Sequence, residues 1–122
     1  MKASPESMAQ GIPAMGDTVK LVTWGSTACA VITVAAGADL GPVLAQLPGG
    51  ACDVPHWGYV RNGCLNVKAA DGSVESVDAG ELYHMPAGHS RVWVDVDTSF
   101  VEFSPAAEFN AVMQAIGKIV AG

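Results

Sequence analysis

The chain has 122 residues, half of them apolar and 15% charged, with a formal net charge of −6 at pH 7. This composition describes one globular domain with a core large enough to close around a pocket, and it excludes a disordered chain. An acidic balance with no cluster of lysine and arginine disfavours nucleic acid as a partner, and no apolar run approaches the roughly 18 residues of a membrane span.

Residues 1–16 carry Pro5, Glu6, Gly11 and Pro13 and show no periodicity, which predicts a loose N-terminal arm without the apolar centre of a secretion signal. Strands follow at Val19 to Trp24 and at Cys29 to Val34, where β-branched residues dominate. Asp39-Leu40-Gly41-Pro42 marks a turn, and Leu40, Val43, Leu44 and Leu47 form a short apolar patch before Pro48-Gly49-Gly50. Asn62-Gly63 between two short apolar runs predicts a hairpin, because both residues tolerate positive φ. Asp71-Gly72 predicts a second hairpin. A strand at Leu82 to Met85 is bracketed by Ala79-Gly80 and Pro86-Ala87-Gly88, and Val92, Val94 and Val96 alternate with Arg91, Trp93 and Asp95 along the next. Phe100 to Phe103 reads as the last strand. Short strands with turns every 8 to 12 residues point to a mainly β fold, a sandwich or small antiparallel barrel over residues 17–104.

The period then changes. Phe109, Val112, Met113, Ile116, Ile119 and Val120 recur at helical spacing, and Ser104-Pro105 offers an N-cap serine with proline at the first helical position. The spacing predicts an amphipathic helix over residues 105–122, covering one face or open end of the barrel or serving as a dimer contact.

Three cysteines, Cys29, Cys52 and Cys64, are odd in number and contain no C-x-x-C pair, which argues against a disulfide framework and for a reducing, cytoplasmic setting. All three histidines, His56, His84 and His89, fall within the stretch of strands and turns. Imidazoles gathered by a folded sheet can bind a transition metal or move protons. Cys52, Val54, His56, Gly58 and Val60 share parity, so an unbroken strand directs them to one face, and Gly58 beside His56 leaves room there for a ligand. Parity does not say whether His84 or Tyr83 faces inward, and Arg91 and Glu102 fit either pocket charges or exposed salt bridges.

Gly80 through Pro86 to Gly88 spells G-x5-P-x-G, and Val60-Arg61-Asn62-Gly63 spells V-x-x-G. With these two motifs the chain resembles the cupin family. Pro55 to Val60 (P-H-W-G-Y-V), Pro86 to His89 (P-A-G-H) and Val101 to Pro105 (V-E-F-S-P) are similar to a group of small bacterial single-domain cupins. The resemblance implies a jelly-roll β-barrel, a metal centre within it and pairing into homodimers through sheet edges. The family's usual ligand set is absent: its glutamate falls on His56, its second histidine on Asp53 or Cys52, and its last histidine on Arg91, with His89 directly after the glycine instead. A rebuilt site would draw on Cys52, His56, His84 and His89. Thiolate and imidazole donors suit Zn, Fe, Ni or Cu rather than Mg or Ca.

Two functions fit. One is a metal-dependent enzyme of oxygenase, isomerase or cyclase type acting on a small organic molecule held in the barrel. The other is a non-catalytic cupin that binds a small ligand as a sensor or interaction module. No nucleophile elbow, phosphate-binding loop or dinucleotide fingerprint competes with them.

Overall fold

The computed structural model describes residues 2–122. Nine strands and two α-helices follow in chain order: β1 Ala9–Gln10, β2 Val19–Trp24, β3 Thr27–Val34, α1 Gly41–Leu44, β4 His56–Asn62, β5 Cys64–Lys68, β6 Val74–Asp78, β7 Leu82–Met85, β8 Arg91–Trp93, β9 Thr98–Pro105 and α2 Ala106–Ala121. They build a six-stranded sheet in the order β1-β2-β3-β9-β4-β7 and a three-stranded sheet in the order β6-β5-β8. Every strand pair is antiparallel. The inner faces meet on a core that includes Ile32, Val60, Leu65, Val94 and Phe100, the two-sheet packing of a jelly roll. Among the described residues no helix is long and apolar enough to cross a membrane.

Several expectations change in three dimensions. Residues 8–16 of the expected loose arm are docked: Met8 is buried, Ala9 and Gln10 pair with Leu21 and Lys20, and Ile12 is buried against the core. A single isoleucine without a periodic pattern gives no sequence signal of such docking. Asn62-Gly63 is no hairpin, because β4 lies in the large sheet and β5 in the small one. The register of β4 against β9 slips between Val60 and Asn62, a bulge that bends the strand out of its sheet. Gly63 then turns the corner at φ +82°, where a Cβ would strike Asp97 O and Thr98 Oγ1. Asp71-Gly72 does close a hairpin, between β5 and β6. The valine-alternating strand is cut to Arg91–Trp93, and Val96 lies exposed beyond it.

Helix α2 begins one residue later than its sequence signal. Pro105 is both the end of β9 and the N-cap, and Ser104 lies within β9 with its side chain turned inward. The helix buries Ala106, Phe109, Met113 and Ile116. It packs on the 3-10 turn at Pro13–Thr18, on α1 and on the β3–β9 pair. The N-terminal segment and α2 thus both wall the hollow between the sheets, the first with Ile12 and Met15 and the second with Met113 and Ile116.

Candidate metal centre

The alternation of β4 continues upstream of the strand. Cys52, Val54, His56, Gly58 and Val60 are buried, while Asp53, Trp57 and Tyr59 are exposed. Cys52 is tied to the second sequence motif by backbone: its N–H donates to His89 O (3.0 Å), and Gly88 N–H donates to its carbonyl (2.8 Å). This bridge brings together two residues far apart in the chain. His56 reaches the same place from the first position of β4, with its Nε2 3.8 Å from Cys52 Sγ and its ring 5.1 Å, edge-on, from that of His89. One donor atom from each of Cys52, His56 and His89 lies within 4.8 Å of the others, and all three residues are buried.

Hydrogen bonds fix the rings. Pro86 O accepts from His89 Nδ1 at 2.8 Å; a carbonyl cannot donate, so Nδ1 carries the proton and Nε2 keeps its lone pair. The tautomer of His56 with its proton on Nδ1 donates to Ser104 Oγ at 2.7 Å, leaving the Nε2 lone pair toward Cys52. Protein-held Nδ1 protons with free Nε2 lone pairs are the arrangement of metal-ligating histidines. Burial, reinforced by the neighbouring His89, lowers the His56 pKa to about 3. Burial also lowers that of His89, partly opposed by the Pro86 carbonyl. Both rings are therefore neutral, as ligands must be. Burial raises the Cys52 thiol, and coordination would offset that by taking the thiolate.

These donors fit a transition metal. Zinc at tetrahedral angle separates a sulfur and a nitrogen ligand by about 3.6 Å, against the 3.8 Å found between Cys52 and His56. Sulfur and imidazole are donors for Zn, Fe, Ni or Cu.

Glu102 and Tyr83 complete the interior. Tyr83 OH donates to Glu102 Oε1 at 2.7 Å, and Glu102 Oε2 stands 3.6 Å from His56 Nδ1. Burial pushes the Glu102 carboxyl up to about 7, with the Tyr83 hydrogen bond pulling the other way. The same burial and the Glu102 charge raise Tyr83. At 3.6 Å the His56–Glu102 approach is too long for a hydrogen bond, and below neutral pH it joins two uncharged groups rather than an ion pair.

His84 is the one named candidate that does not join the cluster. It is exposed on the outer face of β7 and stacks on Trp57, with centroids 5.1 Å apart and planes 10° from parallel. Arg91 is also outside, paired with Asp39 through two nitrogens (2.9 and 3.2 Å) and lying over Trp93. Gly58 makes no room for a ligand, because a Cβ there would strike the Tyr83 ring and Val101 O. Its space belongs to Tyr83. Ser104 was hidden behind its capping signal, although Phe100, Glu102 and Ser104 alternate on one face of β9.

The cluster opens on a cavity of about 110 Å³, whose lining includes Ile32, Phe100, Met113 and Ile116 together with Cys52, His56, His89 and Glu102.

No protein-family model matches the sequence, and no curated protein is similar to it. Solved structures are similar in fold. An RmlC-like cupin from Shewanella frigidimarina superposes with a TM-score of 0.54 at 17% identity, over 72% of this chain and 75% of that one. A cupin-2 domain containing protein from the same species gives 0.52 at 14%, over 71% and 78%. The chain has the cupin fold. A third neighbour, KdgF from a Halomonas species, gives 0.50 at 19%, over 71% and 76%. At these identities the likeness is one of architecture, and chemistry must be argued from the site.

Proposed function

We propose that this small cupin binds a divalent transition metal through Cys52, His56 and His89 and is an enzyme acting on a small organic substrate held in the barrel. The supporting observation is that two buried imidazoles hydrogen-bond through Nδ1, His89 as donor to Pro86 O and His56 with Ser104 Oγ, while one donor atom each of Cys52, His56 and His89 meets within 4.8 Å. When bound, an ion with three protein ligands supplies Lewis acidity and an open coordination position. The chain's own residues do the rest. Ser104 and Pro86 orient the rings, the apolar wall excludes water, and Glu102, steadied by Tyr83, holds or moves a proton at Oε2. Oxygenase, isomerase and cyclase chemistry all use these parts.

The test is metal analysis of protein purified without chelator or affinity nickel, followed by removal and reloading. About one equivalent per chain is expected in the wild type and less than about a tenth in Cys52→Ser and His56→Ala. Unchanged stoichiometric metal in both variants would falsify the site. The second reading, a non-catalytic ligand-binding module, is favoured by the loss of the usual cupin ligand set at Asp53, His56 and Arg91. Ligand binding indifferent to chelators, without metal-dependent turnover, would select it.

A homodimer and a cytoplasmic location belong to the same proposal. Phe103, Trp57 and His84 form one row across β9, β4 and β7, and Val101, Tyr59 and Leu82 form the next. Trp57, Tyr59 and Phe103 are each more than 40% exposed and Leu82 is 81% exposed, beside β7, an edge of the sheet. Such an apolar face beside an open edge suits a second copy. Light scattering after size exclusion should give twice the chain mass, and Leu82→Glu should return the monomer. The three free cysteines support a reducing compartment.

A further inference from the structure

The cavity's walls say what kind of molecule it takes. Its side chains are aliphatic, thioether or aromatic almost throughout, with Ile12, Ile32, Val94, Met113 and Ile116 among them. The Thr18 hydroxyl, which also lines it, is already given to Met15 O at 2.7 Å. The remaining polar groups are Cys52, His56, His89 and Glu102, and they stand together: His56 is 3.8 Å from Cys52, 3.6 Å from Glu102 and edge-on to His89. Among the described residues no lysine or arginine lines the space. Arg91 is spent on Asp39 outside the barrel, and Arg61 on Ser99.

We infer that this cavity takes a small uncharged molecule, hydrocarbon over most of its surface, with one polar end directed to the Cys52–His56–His89–Glu102 corner. Size sets the first limit. A dry cavity of about 150 Å³ accommodates benzene with its six carbons, so 110 Å³ holds about four or five non-hydrogen atoms. Charge sets the second. A carboxylate or phosphate would enter the metal-free chain beside Glu102 with no lysine or arginine to pair with, and an unpaired buried charge is costly. Small ketones, aldehydes and alcohols satisfy both limits; sugar phosphates, nucleotides and dicarboxylates satisfy neither. The inference rests on the proposed site only for the direction of the polar end.

Methionine methyl signals supply the readout, because Met15, Met85 and Met113 line the cavity and Met8 does not. Butanone is titrated against full-length protein, once loaded with zinc and once treated with chelator, with propionate as the charged probe of matched size. Butanone should shift the three lining methyls saturably and leave Met8 in place, binding at least about tenfold more tightly than propionate in the chelator-treated form. Ile116→Phe and Ile32→Phe, each filling the hollow from a different wall, should abolish the shifts. Propionate binding to the chelator-treated chain as tightly as butanone, or no shift of any lining methyl, overturns the inference. Butanone binding to a chain that takes up no zinc would sustain it and sink the metal site instead; zinc uptake without butanone binding does the reverse.

Discussion

His56 and Trp57 are neighbours in the chain, as are Tyr83 and His84, yet each pair is split between two environments. Inside the sheet, His56 is 5% exposed with Nδ1 committed to Ser104, and Tyr83 gives its hydroxyl to Glu102. Outside it, Trp57 and His84 stack in contact with solvent. Water satisfies the outer imidazole in any orientation. The inner one has lost water, so protein partners must satisfy its polar atoms, and that requirement orients it. Desolvation makes a histidine on the inner face a positioned donor, whereas the outer one is held only by its stack on Trp57.

The widest gap between the two faces should be in metal affinity. His89→Ala is expected to weaken zinc binding by more than about a hundredfold, and His84→Ala to leave it unchanged. Ser104→Ala falls between them, at about 10- to 100-fold, because it frees the His56 ring without removing a ligand. Competition with a chromogenic chelator measures all three. Equal losses in His84→Ala and His89→Ala would erase the distinction between the faces.

Acid and base sharpen it next. In the metal-free chain Glu102 has its pKa raised from 4.5 to about 7, so the folded state keeps a proton the unfolded chain gives up. Its contribution is fully present below pH 4.5 and is lost as pH rises to 7, on the order of 3 kcal/mol. His56 moves the other way, from 6.5 to about 3: the unfolded chain takes a proton that the folded chain refuses, and stability falls as pH drops through that window. The two slopes oppose each other between 4.5 and 6.5. Glu102→Gln removes one of them, so urea denaturation should show the variant gaining on the wild type from pH 4.5 to 7. A constant offset between the two curves would mean that Glu102 is not desolvated.

A smaller effect is expected at the glycine beside His56 on the inner face. Gly58→Ala places a methyl against the Tyr83 ring and Val101 O, and overpacking of this kind costs about 1–3 kcal/mol. The midpoint in urea should fall with the slope unchanged. If stability is retained, the space beside His56 is not filled by Tyr83.

Much of the barrel was legible because turns and strands are written in local chemistry. The parity of Cys52 to Val60 put them on one face, the cupin resemblance, with its glutamate position at His56, made that face the interior, and G-x5-P-x-G located the turn that carries His89. What failed was whatever depends on contacts distant in sequence. Asn62-Gly63 has the same φ preference in a hairpin and in a corner between sheets, and only the pairing of β4 with β9 and β5 with β8 distinguishes them. Ser104 before Pro105 satisfies a capping rule, but the His56 ring is the stronger claimant for its hydroxyl. Tyr83 and His84 alternate in a strand of four residues, too short for hydrophobic pattern to fix its facing. The Cys52–His89 bridge lies outside regular pairing altogether, and it is what turns two motifs into one site.

The outer face itself offers the smallest effect and the finest discrimination. An exposed aromatic stack loses little when truncated, because water replaces what the partner ring gave. In a monomer, a double-mutant cycle of Trp57→Ala and His84→Ala should yield a coupling below about 0.5 kcal/mol, less than that of enclosed aromatic pairs. Covering by a second copy changes the expectation: the same cycle, repeated at rising protein concentration, would grow as the face is desolvated. Coupling that stays small at every concentration places Trp57 and His84 permanently in water. Growth with concentration would make the outer face, like the inner one, a surface whose energetics are set by the exclusion of solvent.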